Sequence, residues 1–129
     1  MIAIDTSAIV AVLRGEPEAE RFAEIMASEV RLLIGCPTEL ELHIVTRAKA
    51  GSAAADTSIA TILRTVERVA FDDAHLAAAT AAFDRFGKGR HPASLNYGDC
   101  MAYAVARVAG CPLLYKGEDF ARTDIRSAL

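Results

Sequence analysis

MIAIDTS, residues 1–7, is an apolar run that ends in a carboxylate and two hydroxyl side chains. A continuous apolar run with β-branched residues predicts a strand that is buried on both faces, as in a parallel sheet. In open parallel sheets, ligands bind at the carboxyl ends of the strands. The sequence therefore predicts that Asp5 lies at the edge of the sheet where a functional site would form.

Strands and helices alternate along the rest of the chain. Turn residues, caps and apolar spacing predict helices over residues 6–14, 17–28, 37–50, 53–66, 72–87 and 96–109, and strands over residues 1–4, 30–34, 68–71 and 112–115. This alternation predicts an α/β fold with a central parallel sheet. We expect residues 1–129 to form a single domain, because this length supports a core without disulfides or metals.

The charge and the cysteines restrict the class of protein. The net charge is −3, from 14 basic and 17 acidic residues, so no global basic field indicates nucleic-acid binding unless several acids converge on one cation site. Three cysteines without metal-ligand spacing predict buried thiols in a reducing cytosol. Neither a signal peptide nor an apolar run long enough to cross a membrane is apparent. We expect a cytoplasmic protein.

Glu41 lies within an apolar stripe of the third predicted helix. At about 100° per residue, Ile44, Val45 and Ala48 flank Glu41, and Glu39 falls about 160° away. The pattern predicts that Glu39 is a solvated acid of the first helical turn. A carboxylate on an apolar face needs a cation or hydrogen-bond donors, and a structural ion pair with an arginine is the alternative for Glu41.

Two further acids are expected at the same edge of the sheet. Asp99 lies in the first turn of the sixth helix, and Asp119 follows the last strand. Each also has a structural interpretation, because Asn96 and Asp99 form a capping-box pattern and Asp119 could cap a turn. Asp5 could simply cap the first helix, and Glu118 and Asp124 compete with Asp119 as the fourth acid.

The four acids together favour a metal site. Asp5, Glu41, Asp99 and Asp119 would repel each other strongly at one edge and could not all ionise without compensation. Hard divalent cations prefer such oxygen ligands, and Mg²⁺ is typically held by carboxylates, waters and phosphates. The pattern therefore predicts a Mg²⁺ or Mn²⁺ site for phosphoryl chemistry.

Four segments in this order and spacing resemble a known family. They are residues 4–9 (IDTSAI), 41–45 (ELHIV), 95–104 (LNYGDCMAYA) and 113–120 (LLYKGEDF), followed closely by 123–125 (TDI). The chain resembles the PIN-domain ribonucleases, specifically the VapC-type toxins of bacterial type II toxin–antitoxin systems. Unlike the usual family motif, the third-helix segment carries a second acid, Glu39.

The resemblance implies a three-layer α/β/α PIN domain and a Mg²⁺-dependent endoribonuclease, with Mn²⁺ as a substitute. The acidic quartet would be Asp5, Glu41, Asp99 and Asp119, supported by the hydroxyl residues Thr6 and Ser7. A metal-activated water would cleave an RNA phosphodiester by in-line displacement. An antitoxin protein and a second copy of the chain are the implied partners. The candidate phosphate contacts are Lys116, Arg122, Lys88 and Arg90.

Three alternatives differ in class. A receiver domain of a response regulator also has acids at the sheet edge and a lysine after a late strand, but it needs an acidic pair where Thr6 and Ser7 follow Asp5. A haloacid-dehalogenase-type phosphatase needs an aspartate where Ser7 stands. A PIN-like domain without catalysis would only bind partners, and the intact quartet argues against it. For partner binding, we expect residues 8–13 and 17–28 to carry more apolar surface than a small sheet can cover.

Overall fold

A computed structural model describes the whole chain, Met1–Leu129. It contains four strands, six helices and a short 3-10 helix (Phe120–Arg122). In chain order, these are β1 (Ile2–Ile4), α1 (Thr6–Leu13), α2 (Ala19–Ser28), β2 (Leu32–Gly35), α3 (Cys36–Ala50), α4 (Ser52–Ile62), β3 (Val66–Val69), α5 (Asp73–Phe86), α6 (Tyr97–Ala109) and β4 (Leu113–Leu114). None of the helices is both long enough and apolar enough to span a membrane.

The four strands form one parallel sheet in the order β3-β2-β1-β4. Within it, Ala3 of β1 pairs with Leu33 on one side and with Leu113 on the other. The predicted α/β fold with a central parallel sheet is confirmed.

Helices cover both faces of the sheet because side chains alternate along its strands. Ile2 and Ile4 of β1 point into one core with α1, α2, α3 and α4. Ala3 points into the other core, which α5 and α6 complete. Buried alanines of α6 let that helix lie close to the sheet, and a β-carbon built at Gly35 would lie 2.8 Å from Cγ2 of Val105 on α6.

The largest difference between the predicted and observed element boundaries lies between α4 and β3. The fourth helix ends at Ile62 rather than at residue 66, and the following strand begins at Val66 rather than at residue 68. The strand starts earlier because Val66 pairs with Leu32 of β2, a long-range contact that helical periodicity cannot report.

The expected apolar excess on α1 and α2 is covered in part by neighbouring helices, and Val10, Val12, Leu13 and Ile25 stay half-buried. Ile9 and Phe22 are buried, because Leu42 of α3 and Ile59 of α4 pack in the same core. The exposed large apolar side chains include Leu76, Phe83 and Tyr97, which line a groove between α5 and α6.

Candidate active site

The strand order reverses beside β1. The chain proceeds from β1 to β2 and β3 on one side, and β4 then pairs on the other side of β1. Such a switch point leaves a crevice at the carboxyl ends of the strands, where α/β proteins bind ligands. Asp5 follows β1 and Asp119 follows β4. Helix α3 begins directly after β2, and α6 leads into the start of β4, so the first turns of both helices lie at this same edge.

Asp5 is buried and caps helix α1. Its Oδ2 accepts hydrogen bonds from the backbone N–H of Ser7 at 2.9 Å and from the Ser7 hydroxyl at 2.5 Å. Burial raises the pKa of Asp5 to about 6, and the charges of Asp99 and Glu41 act in the same direction, although the bonds from Ser7 oppose the shift. The capping role and the site role therefore apply to the same side chain.

The two hydroxyl residues after Asp5 connect the surrounding elements. The Ser7 hydroxyl accepts the backbone N–H of Lys116 at 3.0 Å, so Ser7 joins the ends of β1 and β4 while it orients Asp5. The buried Thr6 hydroxyl donates to the backbone carbonyl of Thr38 at 3.3 Å, which joins the first turns of α1 and α3.

Asp99 also has both of its predicted roles. Its Oδ2 accepts the backbone N–H of Asn96 at 3.0 Å, and the Asn96 side chain accepts the Asp99 N–H at 2.9 Å, which completes the capping box of α6. Burial raises the pKa of Asp99, the charges of Asp119 and Glu41 raise it further, and only the Asn96 bond opposes them. Asp99 thus lies within electrostatic range of two other acids.

Glu41 lies against the first turn of α6. Its carboxylate occupies the space beside Gly98, where a β-carbon would overlap it. The charge of Glu41 raises the pKa values of both Asp5 and Asp99. Glu41 has no basic partner, so the alternative of a structural ion pair does not apply to it.

The prediction of a solvated Glu39 was wrong. Glu39 is only 9% exposed, and Arg68 of β3 donates to both of its carboxylate oxygens at 2.6 and 2.9 Å. This hydrogen-bonded pair lowers the pKa of Glu39. The error arose because the buried face of α3 carries Thr38, Glu39 and Leu42. Ile44 and Ala48, which belonged to the predicted apolar stripe, are exposed.

The three candidates for the fourth acid differ in their surroundings. Asp124 accepts hydrogen bonds from the Tyr103 hydroxyl at 2.6 Å, from Arg107 at 2.9 Å and from Arg85 at 3.1 Å, so its charge is already compensated. Asp119 is exposed at the start of the 3-10 helix, and its charge raises the pKa of Asp99. The charge of Glu118 affects the pKa of neither Asp5 nor Asp99. The surroundings therefore favour Asp119.

The converging acids lack positive partners. No lysine, arginine or histidine forms an ion pair with Asp5, Glu41, Asp99 or Asp119, although most other acids of the chain are paired. The positive ends of α1, α3 and α6 supply partial compensation. Asp5 and Asp99 each keep one carboxylate oxygen without a hydrogen bond. This all-oxygen set suits a hard divalent cation, but no three of its side chains are yet close enough to hold one ion.

Comparisons with known proteins agree with this geometry. The PIN domain family matches residues 2–126. The chain is 46% identical over 124 residues to ribonuclease VapC30 of Mycobacterium tuberculosis, covering 95% of this chain and 94% of that protein. It is 43% identical over 123 residues to a ribonuclease VapC of Mycolicibacterium smegmatis, covering 95% of each chain. This chain belongs to the VapC family of PIN domains.

Solved structures support the fold of this PIN domain. VapC20 of Mycobacterium tuberculosis, described as a toxin that cleaves the sarcin–ricin loop, matches with a TM-score of 0.77 at 17% identity, over 97% of this chain and 96% of that one. VapBC2 of Rickettsia felis, bound to a DNA fragment from its promoter, matches with a TM-score of 0.78 at 14% identity, over 98% and 96%. At these identities the likeness concerns the fold.

The predicted phosphate contacts of the PIN domain fall into two groups. The Lys116 ammonium forms ion pairs with Glu16 and Glu18. These glutamates lie about 100 residues earlier in the sequence, so no local pattern predicts the contacts. Arg122 is exposed and donates only to the carbonyl of Pro92 at 3.2 Å. Arg90 lies over the Phe83 ring and only 3.9 Å from Asp84. Lys88 is exposed and forms no ion pair. Arg122, Arg90 and Lys88 are thus less neutralised than Lys116.

Proposed function

We propose that this chain is a metal-dependent endoribonuclease that acts as the toxin of a type II toxin–antitoxin pair. One observation carries the proposal. Asp5, Glu41, Asp99 and Asp119 lie around the switch point of the sheet without a basic partner, in a chain that belongs to the VapC family. Carboxylates without positive partners raise each other's pKa values and destabilise the ionised, metal-free site. A bound cation would compensate their charge.

The residues of the site have distinct tasks in this proposal. Asp5 and Asp99 would hold the cation through their free oxygens, while Ser7 and Asn96 fix the other oxygen of each carboxylate. Glu41, from its place beside Gly98 on the first turn of α6, and Asp119, after a rotation of its exposed side chain, would complete the ligand set. A bound Mg²⁺, or Mn²⁺ in its place, would activate water and neutralise charge on the phosphoryl oxygens. RNA phosphates would contact Arg122 and Arg90, and Lys116 only after it leaves its two glutamates.

The same charge pattern supports an antitoxin partner. The solved structures with this fold include a toxin–antitoxin complex from Klebsiella pneumoniae and a DNA-bound VapBC from Salmonella typhimurium. A basic side chain from an antitoxin would find unpaired carboxylates at the site and would compete with the cation for them. We further propose that the chain forms a homodimer, as its family resemblance implies. Its three free cysteines fit the reducing cytoplasm.

Purified variants test the nuclease. Asp5→Asn and Asp99→Asn should each abolish Mg²⁺-dependent cleavage of total RNA while the fold is retained, because each removes a cation ligand. The matched control is Asp73→Asn, which removes an exposed, unpaired carboxylate from the first turn of α5 and should leave cleavage unchanged. Parent-like cleavage by either site variant contradicts the site, and a parent protein without nuclease activity favours a domain that only binds partners.

Expression in bacteria tests the toxin role separately. The parent chain should arrest growth, Asp5→Asn should relieve the arrest, and co-expression of the neighbouring small open reading frame should rescue it. Harmless expression of a protein that cleaves RNA in vitro would refute the toxin role and leave the nuclease standing.

A further inference from the structure

Gly98 occupies the second position of helix α6, and its backbone conformation does not call for glycine. Its φ lies outside the left-handed range found at five other glycines of the chain. Glycine inside a helix lowers stability relative to alanine. The residue therefore needs an explanation in terms of the space around it.

That space is filled by Glu41. A β-carbon built at Gly98 would overlap Oε2 of Glu41 and would lie 2.9 Å from Cδ and 3.3 Å from Oε1. The carboxylate of α3 thus rests on the bare backbone at the start of α6, beside Asp99. The positive end of the helix dipole favours a carboxylate at this place.

We propose that Gly98 is a positioning residue, which keeps the first turn of α6 open so that Glu41 reaches the site beside Asp99. The inference rests on the proposed nuclease site, because Glu41 matters there as a cation ligand. It assigns to Gly98 no contact with substrate. Because it has no side chain, Gly98 leaves space for the Glu41 carboxylate where α3 packs against α6.

Gly98→Ala should displace the Glu41 carboxylate without unfolding the chain. The overlapping atoms belong to the far end of a flexible side chain, so the Glu41 carboxylate can swing away from an alanine without a shift of either helix. Since alanine also favours helix, Gly98→Ala should fold. It should fold with Glu41 displaced.

A double-mutant cycle in metal-free protein tests the contact without any activity. Gly98→Ala should raise the melting temperature by a few degrees in a Glu41→Ala background, where only the helix propensity changes. In the parent background the displaced carboxylate should cancel this gain. Additive effects of the two substitutions would overturn the inference, because independent sites add.

Metal binding and cleavage test the consequence. Gly98→Ala should require more Mn²⁺ to reach half of the metal-induced rise in melting temperature, and it should lose cleavage rate on the order of 100-fold, the scale expected for a displaced site group. Glu41→Asp has a shorter side chain that avoids the added methyl group. It should therefore cleave faster in the Gly98→Ala background than Gly98→Ala alone does.

The outcomes distinguish this inference from the proposed function. Parent-like metal response and cleavage by Gly98→Ala, together with inactivity of Glu41→Ala, would overturn the role of Gly98 and leave the nuclease site intact. Parent-like cleavage by Glu41→Ala would instead remove Glu41 from the site. A failure of Glu41→Asp to rescue Gly98→Ala would indicate a structural defect and would also overturn the positioning role.

Discussion

At the scale of single residues, the buried carboxyl of Asp5 makes stability depend on pH. Its pKa rises from 3.8 to about 6 on folding, so between these values the folded chain keeps a proton that the unfolded chain has lost. Stability then falls as pH rises through this window, and above about pH 6 the ionised Asp5 costs up to ~3 kcal/mol. This penalty is what a bound cation would remove.

Asp5→Asn should therefore stabilise the metal-free protein at neutral pH. The asparagine oxygen can still accept the two hydrogen bonds from Ser7, and the buried charge is gone. Urea unfolding in EDTA at pH 8 should give a higher free energy of unfolding for Asp5→Asn than for the parent. The difference should disappear near pH 4, and an equal gain at both pH values would contradict the raised pKa.

Glu39 and Glu41 should have opposite effects when they are neutralised. Glu39→Gln breaks the two-point bond to Arg68 and should lower the free energy of unfolding by about 1–3 kcal/mol, with cleavage within a few-fold of the parent when assayed well below the melting temperature. Glu41→Gln should abolish cleavage and should not destabilise the metal-free chain, because it relieves repulsion. Thermal melts in EDTA and an RNA cleavage assay separate the two, and reversed effects would exchange their roles.

How far the site could be predicted depends on how local each constraint is. The placement of Asp5 and Asp99 at the carboxyl edge of the sheet was predicted because a strand end and a capping box can be recognised from adjacent residues. Glu39 was predicted to be exposed because a helical wheel describes only residues of the same helix, whereas its partner Arg68 lies on β3. Gly98 gave a readable clue, a glycine inside a helical pattern, but the atom that fills its space lies 57 residues earlier in the chain.

At the scale of elements, Asp124 fastens the C-terminal segment to α5 and α6. It accepts hydrogen bonds from Tyr103 and Arg107 of α6 and from Arg85 of α5. Burial and the bond to Asp124 raise the pKa of Tyr103 to about 12, so this hydroxyl remains a donor at every physiological pH. The residues around Asp124 are thereby held on the helical layer formed by α5 and α6.

Asp124→Asn should consequently loosen the C-terminal segment and spare the chemistry. We expect faster hydrogen exchange over residues 120–129 and a loss of about 1–2 kcal/mol in stability, with cleavage retained at low temperature. Tyr103→Phe should reproduce a smaller part of the effect. Asp119→Asn is the counterpart, and it should lower cleavage without loosening the segment. Loss of cleavage in Asp124→Asn at full stability would make Asp124 the fourth acid.

The boundaries of helices and strands were also predicted well where nearby residues determine them and poorly where distant residues do. The helices with caps in adjacent residues, such as α5 after Asp72 and α6 after Asn96, were predicted to within a residue or two. The end of α4 was missed because pairing of β3 with β2 decides where the helix stops. The direction and order of strands likewise follow from packing that no single segment contains.

At the scale of the whole molecule, cation binding should be coupled to folding. The four acids come to one edge of the sheet only when β1, α3, α6 and the segment after β4 are assembled, so the unfolded chain offers no comparable site. A cation that binds the folded state alone stabilises it by about 2.7 kcal/mol at 100 times its dissociation constant.

Millimolar Mg²⁺ or Mn²⁺ should therefore raise the melting temperature of the parent chain. The rise should be blunted in Asp5→Asn, although this variant starts from a higher stability in EDTA at neutral pH. It should remain intact in Asp73→Asn, which controls for screening of surface charge. Adding Na⁺ at matched ionic strength separates specific binding from screening. A melting temperature that responds equally to Na⁺ and Mg²⁺ would contradict specific binding of a divalent cation by the four acids.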